Sequence, residues 1–295
     1  RPEGDGEGNP GGTHMKTILT IAGSDSSGGA GIQADIKTIT MHGMYAMSAI
    51  TAMTAQNTLG VSAVWEATEE QIREQILRIV EDIPPDAGKV GMVGGQEQIQ
   101  AIGEQMRRWN MKNVVVDTVM ASTSGTRFLK EQARDALKKE LLPFARLVTP
   151  NLPEAELLSG MKIRSEEEME RAARKMSEAF ETAILVKGGH LEGAAADVLA
   201  EEGKETWFTT TRLENSNTHG TGCTLSSAIA CRLAAGEELK TAVAHAKVYV
   251  TEAIRAGLNL GKGNGPLQHI WRFSEEELLE WAGEEPNRGK KTDRG

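Results

Sequence analysis

"TILTIAGSDSSGGAGIQAD", residues 17–35, is the stretch that decides the fold. Thr17–Ala22 is a short run of β-branched and aliphatic residues, the composition of a buried strand. Glycines and serines then crowd the segment 23–31, where no regular element with a side-chain face can persist. From Ile32 to Met41 the pattern turns helical. Strand, glycine-rich turn and helix in immediate succession form the opening unit of an α/β sheet.

The same alternation continues along the chain. "KVGMV" (89–93), "NVVVD" (113–117), "RLVTP" (146–150) and "AILVKGG" (183–189) are further short apolar runs. Helical patterns lie between them, at about 97–109, 129–141, 153–159 and 165–180. In "TEEQIREQILRIVED" (68–82) Ile72, Ile76 and Ile79 recur at helical spacing, continued by Ile83, with acids in the first turn. Strands alternating with helices predict a doubly wound, mainly parallel sheet with helices on both faces. No repeat of 20–50 residues and no composition break marks a second domain. The expected organisation is a disordered leader or expression remnant at 1–14, one domain at 15–273, and a short helical, polar tail at 274–295.

Composition narrows the function classes. A net charge of −9 argues against a nucleic-acid partner, which needs a basic face to displace phosphate counterions. Aromatic residues at 4% leave little for base stacking. No apolar run approaches the ~20 residues that span a bilayer, so no membrane partner is expected. The two cysteines, Cys223 and Cys231, would lie about 12 Å apart on one helix. That is too far for a disulfide, and the pair lacks zinc-site spacing. Free thiols predict a reducing, cytoplasmic location.

Ligands of open α/β sheets sit beyond the carboxyl ends of the strands. The segments found there are "GSDSSGGAG", "GMVGG", "DTVM", "TPNLPEAE" and "KGGH", each supplying glycine, an acid, an amide or a lysine. The first is not a P-loop, because Gly29-Ala30 stands where Lys-Ser/Thr is required, and it is not a dinucleotide fingerprint. Its glycines favour close backbone approach to a small ligand, and Asp35, one turn into the helix, is expected to point back at it.

"NTHGTGCTLSSA" (217–228) places a second glycine turn before a helix. Gly220, Thr221 and Gly222 would offer backbone N–H groups and a hydroxyl to an anion at the positive end of the helix. Cys223 falls in the first turn, where a lowered thiol pKa is expected; a small buried hydrophobe is the alternative. Lys187 can neutralise phosphate charge, while Asn151, Glu154 and Asp117 offer oxygens to a hydrated magnesium ion. These are the parts of a phosphoryl-transfer site, which needs mostly positioning and charge stabilisation.

In order and without large gaps, "AGSDSSGGAGIQAD", "TAQNTLGV", "GMV", "DTVM", "TPNLPEAE", "VKGGH", "NTHGTGCTLSSA" and "GKGNGP" resemble the bacterial hydroxymethylpyrimidine/phosphomethylpyrimidine kinases of thiamine biosynthesis. Those enzymes belong to the ribokinase-like superfamily. The resemblance implies a homodimeric kinase using ATP and Mg2+, which phosphorylates 4-amino-5-hydroxymethyl-2-methylpyrimidine and then its monophosphate. It places Gln56, Asp35, Gly23, Met92 and Val119 around the pyrimidine, and Lys187, Thr221 and Asn151 at ATP. Cys223 takes the proton-accepting position that is aspartate in most of the superfamily. The Gln56 amide suits an aminopyrimidine, because it can accept from an exocyclic amine and donate to the adjacent ring nitrogen.

Three rivals share parts of this pattern. A pyridoxal or dual-specificity kinase has the same anion-hole region. A cysteine hydrolase would pair Cys223 with His219 or His190, yet would leave Lys187 and the acids without purpose. A sensor that binds the pyrimidine without turnover would have no need of Lys187, Glu154 and the 220–222 turn together. The segment "MASTSGTR" (120–127) is a candidate lid.

Overall fold

The buried run that opens the chain forms the middle of a nine-stranded sheet. The computed structural model describes residues 14–121, 125, 128–189, 195–210, 213, 215 and 217–273. Strand β1 (Thr17–Asp25) is covered along nearly its whole length, because it is hydrogen-bonded on both edges and packed on both faces. The sheet order is β3-β2-β1-β4-β5-β6-β7-β8-β9. Here β2 is Tyr45–Asn57, β3 Gly60–Glu66, β4 Ala87–Val90, β5 Val114–Val116, β6 Leu147–Val148, β7 Ala183–Lys187, β8 Ala195–Glu201 and β9 Lys204–Thr210. Strands β2, β1, β4, β5, β6 and β7 pair in parallel. At either end an antiparallel hairpin strand is added, β3 against β2, and β8 and β9 beyond β7.

Helices cover both faces, as the alternation predicts. Within β1, Leu19 and Ile21 face one core and Ile18 the other, the period-2 alternation of a strand. The first core is closed by α2 (Glu69–Asp82), α3 (Gln96–Arg108), α5 (Leu152–Ser159), α6 (Glu166–Phe180) and a turn of α4 (Ala133–Ala136) that runs on as a π-helical turn over Leu137–Leu141. The second is closed by α1 (Gly31–Met41), α7 (Thr221–Ala234) and α8 (Leu239–Ala256). Helix α2 shows the local logic. Thr68 and Gln71 form a reciprocal capping box, and Ile72, Ile76 and Val80 face the core. Ile83 falls past the end as the C-cap residue and is exposed.

The predicted strands and helices all appear within a few residues of their expected limits. Neither terminal hairpin carries a local signature in the sequence: β2 is rich in alanine and threonine, and β9 is half-buried or exposed along its whole length instead of forming an apolar run. Cys223 and Cys231 share α7 as free thiols. Among the described residues no helix is long and apolar enough to cross a membrane. The expected leader, apart from His14, and the tail from residue 274 lie outside the described residues, as do His190 and most of the candidate lid.

Chain order reverses between β1 and β4, since the strand after β1 adds on one side and β4 on the other. Such a reversal opens a crevice at the carboxyl ends of the strands. The turns after β1, β4, β5, β6 and β7 all open on it, and so does the N-terminus of α7.

Candidate active site

A cavity of about 550 Å³ occupies this crevice, a size suited to a small molecule. Nearly every residue expected of the site lines it: Gly23, Gln56, Met92 and Val119; Asn151, Glu154, Lys187 and Asp117; and Gly220, Thr221, Gly222 and Cys223. Residues scattered over two hundred positions of sequence therefore meet in one space.

The turn before α7 is built by glycine. Gly220 caps the helix with φ of +88°, and a side chain there would strike the Gly29 carbonyl of the first loop. The two glycine turns are thus packed backbone to backbone. Thr221 spends both its hydroxyl, at 2.8 Å, and its backbone N–H, at 3.2 Å, on the Thr218 carbonyl, so the N–H groups left for an anion at the helix mouth are those of its glycine neighbours. A Cβ on Gly222 would lie 3.2 Å from Asp117 Oδ2 and 3.4 Å from Lys187 Nζ. Gly222→Ala is therefore expected to lower kcat/KM for the phosphate donor about tenfold or more, by pushing that pair off position, with unfolding nearly unchanged. Steady-state kinetics and a thermal melt of the variant check this.

Lys187, at the end of β7, donates to Asp117 Oδ1 at 2.8 Å, and Thr149 donates to the same oxygen at 3.0 Å. Burial opposes the charge on Lys187, but Asp117 and Glu154 hold its pKa above the ordinary lysine value. Burial likewise opposes the Asp117 carboxylate, while Lys187 and Lys89 pull its pKa below the usual range. Asn151 and Glu154 form the capping box of α5: the Asn151 side chain accepts from the Glu154 N–H, and Glu154 Oε2 accepts from the Asn151 N–H, both at 2.9 Å. Glu154 also accepts from Thr118 Oγ1 at 3.1 Å and from the Met120 N–H at 3.3 Å, and burial raises its pKa. Among the described residues no cluster of three or more His, Cys, Asp or Glu is poised to hold a metal ion. Two buried carboxylates already engaged by protein donors suit a magnesium ion that keeps its water shell, not one stripped by direct ligation.

Two expectations are corrected. Asp35 does not line the cavity. Its carboxylate is sealed beneath it, accepting from Lys89 Nζ at 2.8 and 2.9 Å, from Thr20 Oγ1 at 2.6 Å and from Ser227 Oγ at 2.8 Å. An acid one turn into α1 faces the sheet instead of the ligand, and Lys89, whose partner in space could not be foreseen, claims it. The Cys223 thiol is not acidified either. Burial pushes it up to about 11, and the Lys89 charge offsets only part of that.

Two groups were missed. Asp25, at the end of β1, organises the first turn by accepting from the N–H groups of Ser27, Gly29 and Ala30 and from Ser27 Oγ. It also receives His219 Nε2 at 2.8 Å. Asp197 of β8 accepts from the Gly188 N–H at 3.0 Å and pairs with Lys247 of α8 at the cavity wall. Asp25 lies in the first glycine-rich loop, where its acceptor capacity is legible. Asp197 belongs to a hairpin that no apolar run announced.

A doubly wound sheet with helix-mouth glycines, a lysine and paired acids in its crevice defines the class: a small-molecule kinase of the ribokinase-like type. The phosphomethylpyrimidine kinase family profile matches residues 25–268, and the chain belongs to that family. It is 44% identical over 258 residues to the hydroxymethylpyrimidine/phosphomethylpyrimidine kinase of Streptomyces coelicolor, covering 88% of this chain and 96% of that one. It is 46% identical over 255 residues to the thiamine biosynthesis bifunctional protein ThiED of Geobacter sulfurreducens, covering 86% of this chain and about half, 52%, of that longer protein. Among solved structures, an ADP complex of Bacillus subtilis pyridoxal kinase superposes with a TM-score of 0.82 at 36% identity, covering 88% of this chain and all of that one.

Proposed function

We propose that this chain transfers the γ-phosphoryl group of ATP to the hydroxymethyl group of 4-amino-5-hydroxymethyl-2-methylpyrimidine, and then a second phosphoryl group to the monophosphate, as a step of thiamine biosynthesis. The observation that carries this reading is the convergence of the 220–223 turn, Lys187 and Gln56 on a single cavity. An alcohol held at the Gln56 end can face a phosphate held at the helix mouth.

In the first transfer the substrate oxygen forms a bond to the γ-phosphorus as the bond to the β-phosphate oxygen breaks, releasing ADP. The alcohol proton passes to the thiolate form of Cys223. Backbone N–H groups of Gly220 and Gly222 and the Lys187 ammonium stabilise charge on the transferring group, as preorganised donors do in a water-poor site. Lys187, Thr221 and Asn151 hold the nucleotide; Gln56, Gly23, Met92 and Val119 hold the pyrimidine. A hydrated Mg2+ held near Asp117 and Glu154 would supply charge neutralisation to the triphosphate. Asp35 supports this wall from beneath. The reading takes residues 15–273 as one kinase domain working as a cytoplasmic homodimer.

Mass analysis of products after incubation with ATP, Mg2+ and the aminopyrimidine alcohol tests the proposal. Successive gains of one and then two phosphoryl groups are expected. The pyridoxal kinase fold likeness motivates a parallel reaction with pyridoxal; a tenfold preference for that alcohol would reverse the assignment.

A further inference from the structure

Gln56 cannot read a ring by itself, because either end of its amide can point either way. Oxygen and nitrogen of such an amide have the same shape, and their neighbours decide the orientation. Three neighbours do so here. Asp25 Oδ2 lies 2.8 Å from His219 Nε2. The hydrogen bonds from His219 and Ser27 outweigh burial and pull the Asp25 carboxyl down to about 2, so it is ionised and only accepts. His219 Nε2 must therefore carry a proton, directed at Asp25. Gln56 Nε2 is placed 3.3 Å from the same nitrogen, which sets donor against donor; the reversed amide, identical in shape, puts its oxygen there instead.

The other end of the amide agrees. Thr54 Oγ1 has one proton, and the Ser24 carbonyl, which can only accept, lies at 2.9 Å. The hydroxyl oxygen is then free to accept, so the amide end 3.2 Å away, placed as Oε1, is better satisfied in the reversed orientation that brings the NH2 group to it. Both constraints turn the amide the same way: oxygen towards α7 and His219, NH2 towards Thr54 on β2.

We propose that His219, oriented by Asp25, is a positioning residue that fixes the Gln56 amide and so determines selectivity for an aminopyrimidine. The inference rests on the substrate reading above. The fixed amide takes the exocyclic amine on its His219 side and the ring nitrogen on its Thr54 side, and a pyridoxal ring, lacking that amine beside a ring nitrogen, gains little from it. The His219 backbone is fixed from behind, its main-chain N–H donating to the Gly265 carbonyl at 3.1 Å, and its ring rests on Gly29.

The test compares His219→Phe and His219→Gln with the wild type, using the aminopyrimidine alcohol and pyridoxal as alternative substrates. His219→Phe removes the proton that selects the amide oxygen. It is expected to lower kcat/KM for the aminopyrimidine about tenfold, chiefly through KM, while changing kcat/KM for pyridoxal less than about threefold. His219→Gln retains a donor towards Asp25 and is expected to keep most of the wild-type selectivity. In a Gln56→Ala background His219→Phe should have almost no further effect on the aminopyrimidine. Equal losses on both substrates, a loss confined to kcat, full additivity with Gln56→Ala, or lost selectivity in a folded His219→Gln protein would each overturn the proposal. A wild type that phosphorylates no aminopyrimidine would sink the substrate reading and this inference together; a working wild type with unaltered selectivity in His219→Phe would sink this inference alone.

Discussion

Asp35→Ala is expected to lower the unfolding free energy by about 3–5 kcal/mol, the effect of stranding a buried charge. Both side chains of the Asp35–Lys89 pair are fully sealed from solvent. Four donor contacts satisfy the carboxylate, two from Lys89 and one each from Thr20 and Ser227. Burial opposes a charged Lys89, and it is Asp35 above all that keeps its pKa above the ordinary lysine value. Without the carboxylate the ammonium must lose its proton or draw water into the core. The pair, though, is not a net source of stability simply by being ionic, because desolvating two charges offsets most of their attraction. The double variant Asp35→Leu/Lys89→Met should therefore recover most of the loss. Urea unfolding of the single and double variants measures both. A loss below about 1 kcal/mol in Asp35→Ala would show the pair to be hydrated, and a double variant as unstable as the single would show the damage to be one of packing.

That pair also marks where the sequence stops being informative. The β1 run and the alternation after it announced the fold because burial on both faces leaves a composition that can be read without partners. Glycines at 220 and 222 were legible for a similar reason: close backbone approach has few other uses in front of a helix. Asp35 lay in a recognisable motif, yet its role depends on Lys89, 54 positions away and on a different strand. A buried lysine has no local signature, so an acid facing the sheet was read as one facing a ligand. The Cys223 thiol failed for a related cause. Its place in the first turn of α7 was right, and the helix terminus favours a thiolate there, but the depth of burial is a property of the packed chain and dominates. The sequence suggests His219 only as a partner for the thiol, whereas the structure gives its Nε2 to Asp25 and Gln56.

Replacing Cys223 by alanine should separate the two phosphoryl transfers. In the first, the nucleophile is an alcohol whose proton has to leave, and the only form of Cys223 able to take it is the thiolate. With the thiol pushed up to about 11, that form is scarce at neutral pH and increases about tenfold for each pH unit below that value. The rate of the first transfer should accordingly rise with pH between about 7 and 10, close to one decade per unit. In the second transfer the nucleophile is a phosphate oxygen, which has already lost its proton above the second phosphate pKa of about 6. It needs no base. Cys223→Ala is thus expected to slow the first transfer by about 10²–10⁴, the usual reach of a general base, and to remove its pH slope. The second transfer should change by less than about tenfold, with a flat profile in both proteins. Separate kinetics with the alcohol and with the monophosphate, across that pH range, read these outcomes. Equal losses in the two transfers would mean that Cys223 serves to position the nucleotide, and an unaltered pH slope in Cys223→Ala would assign the proton to another group.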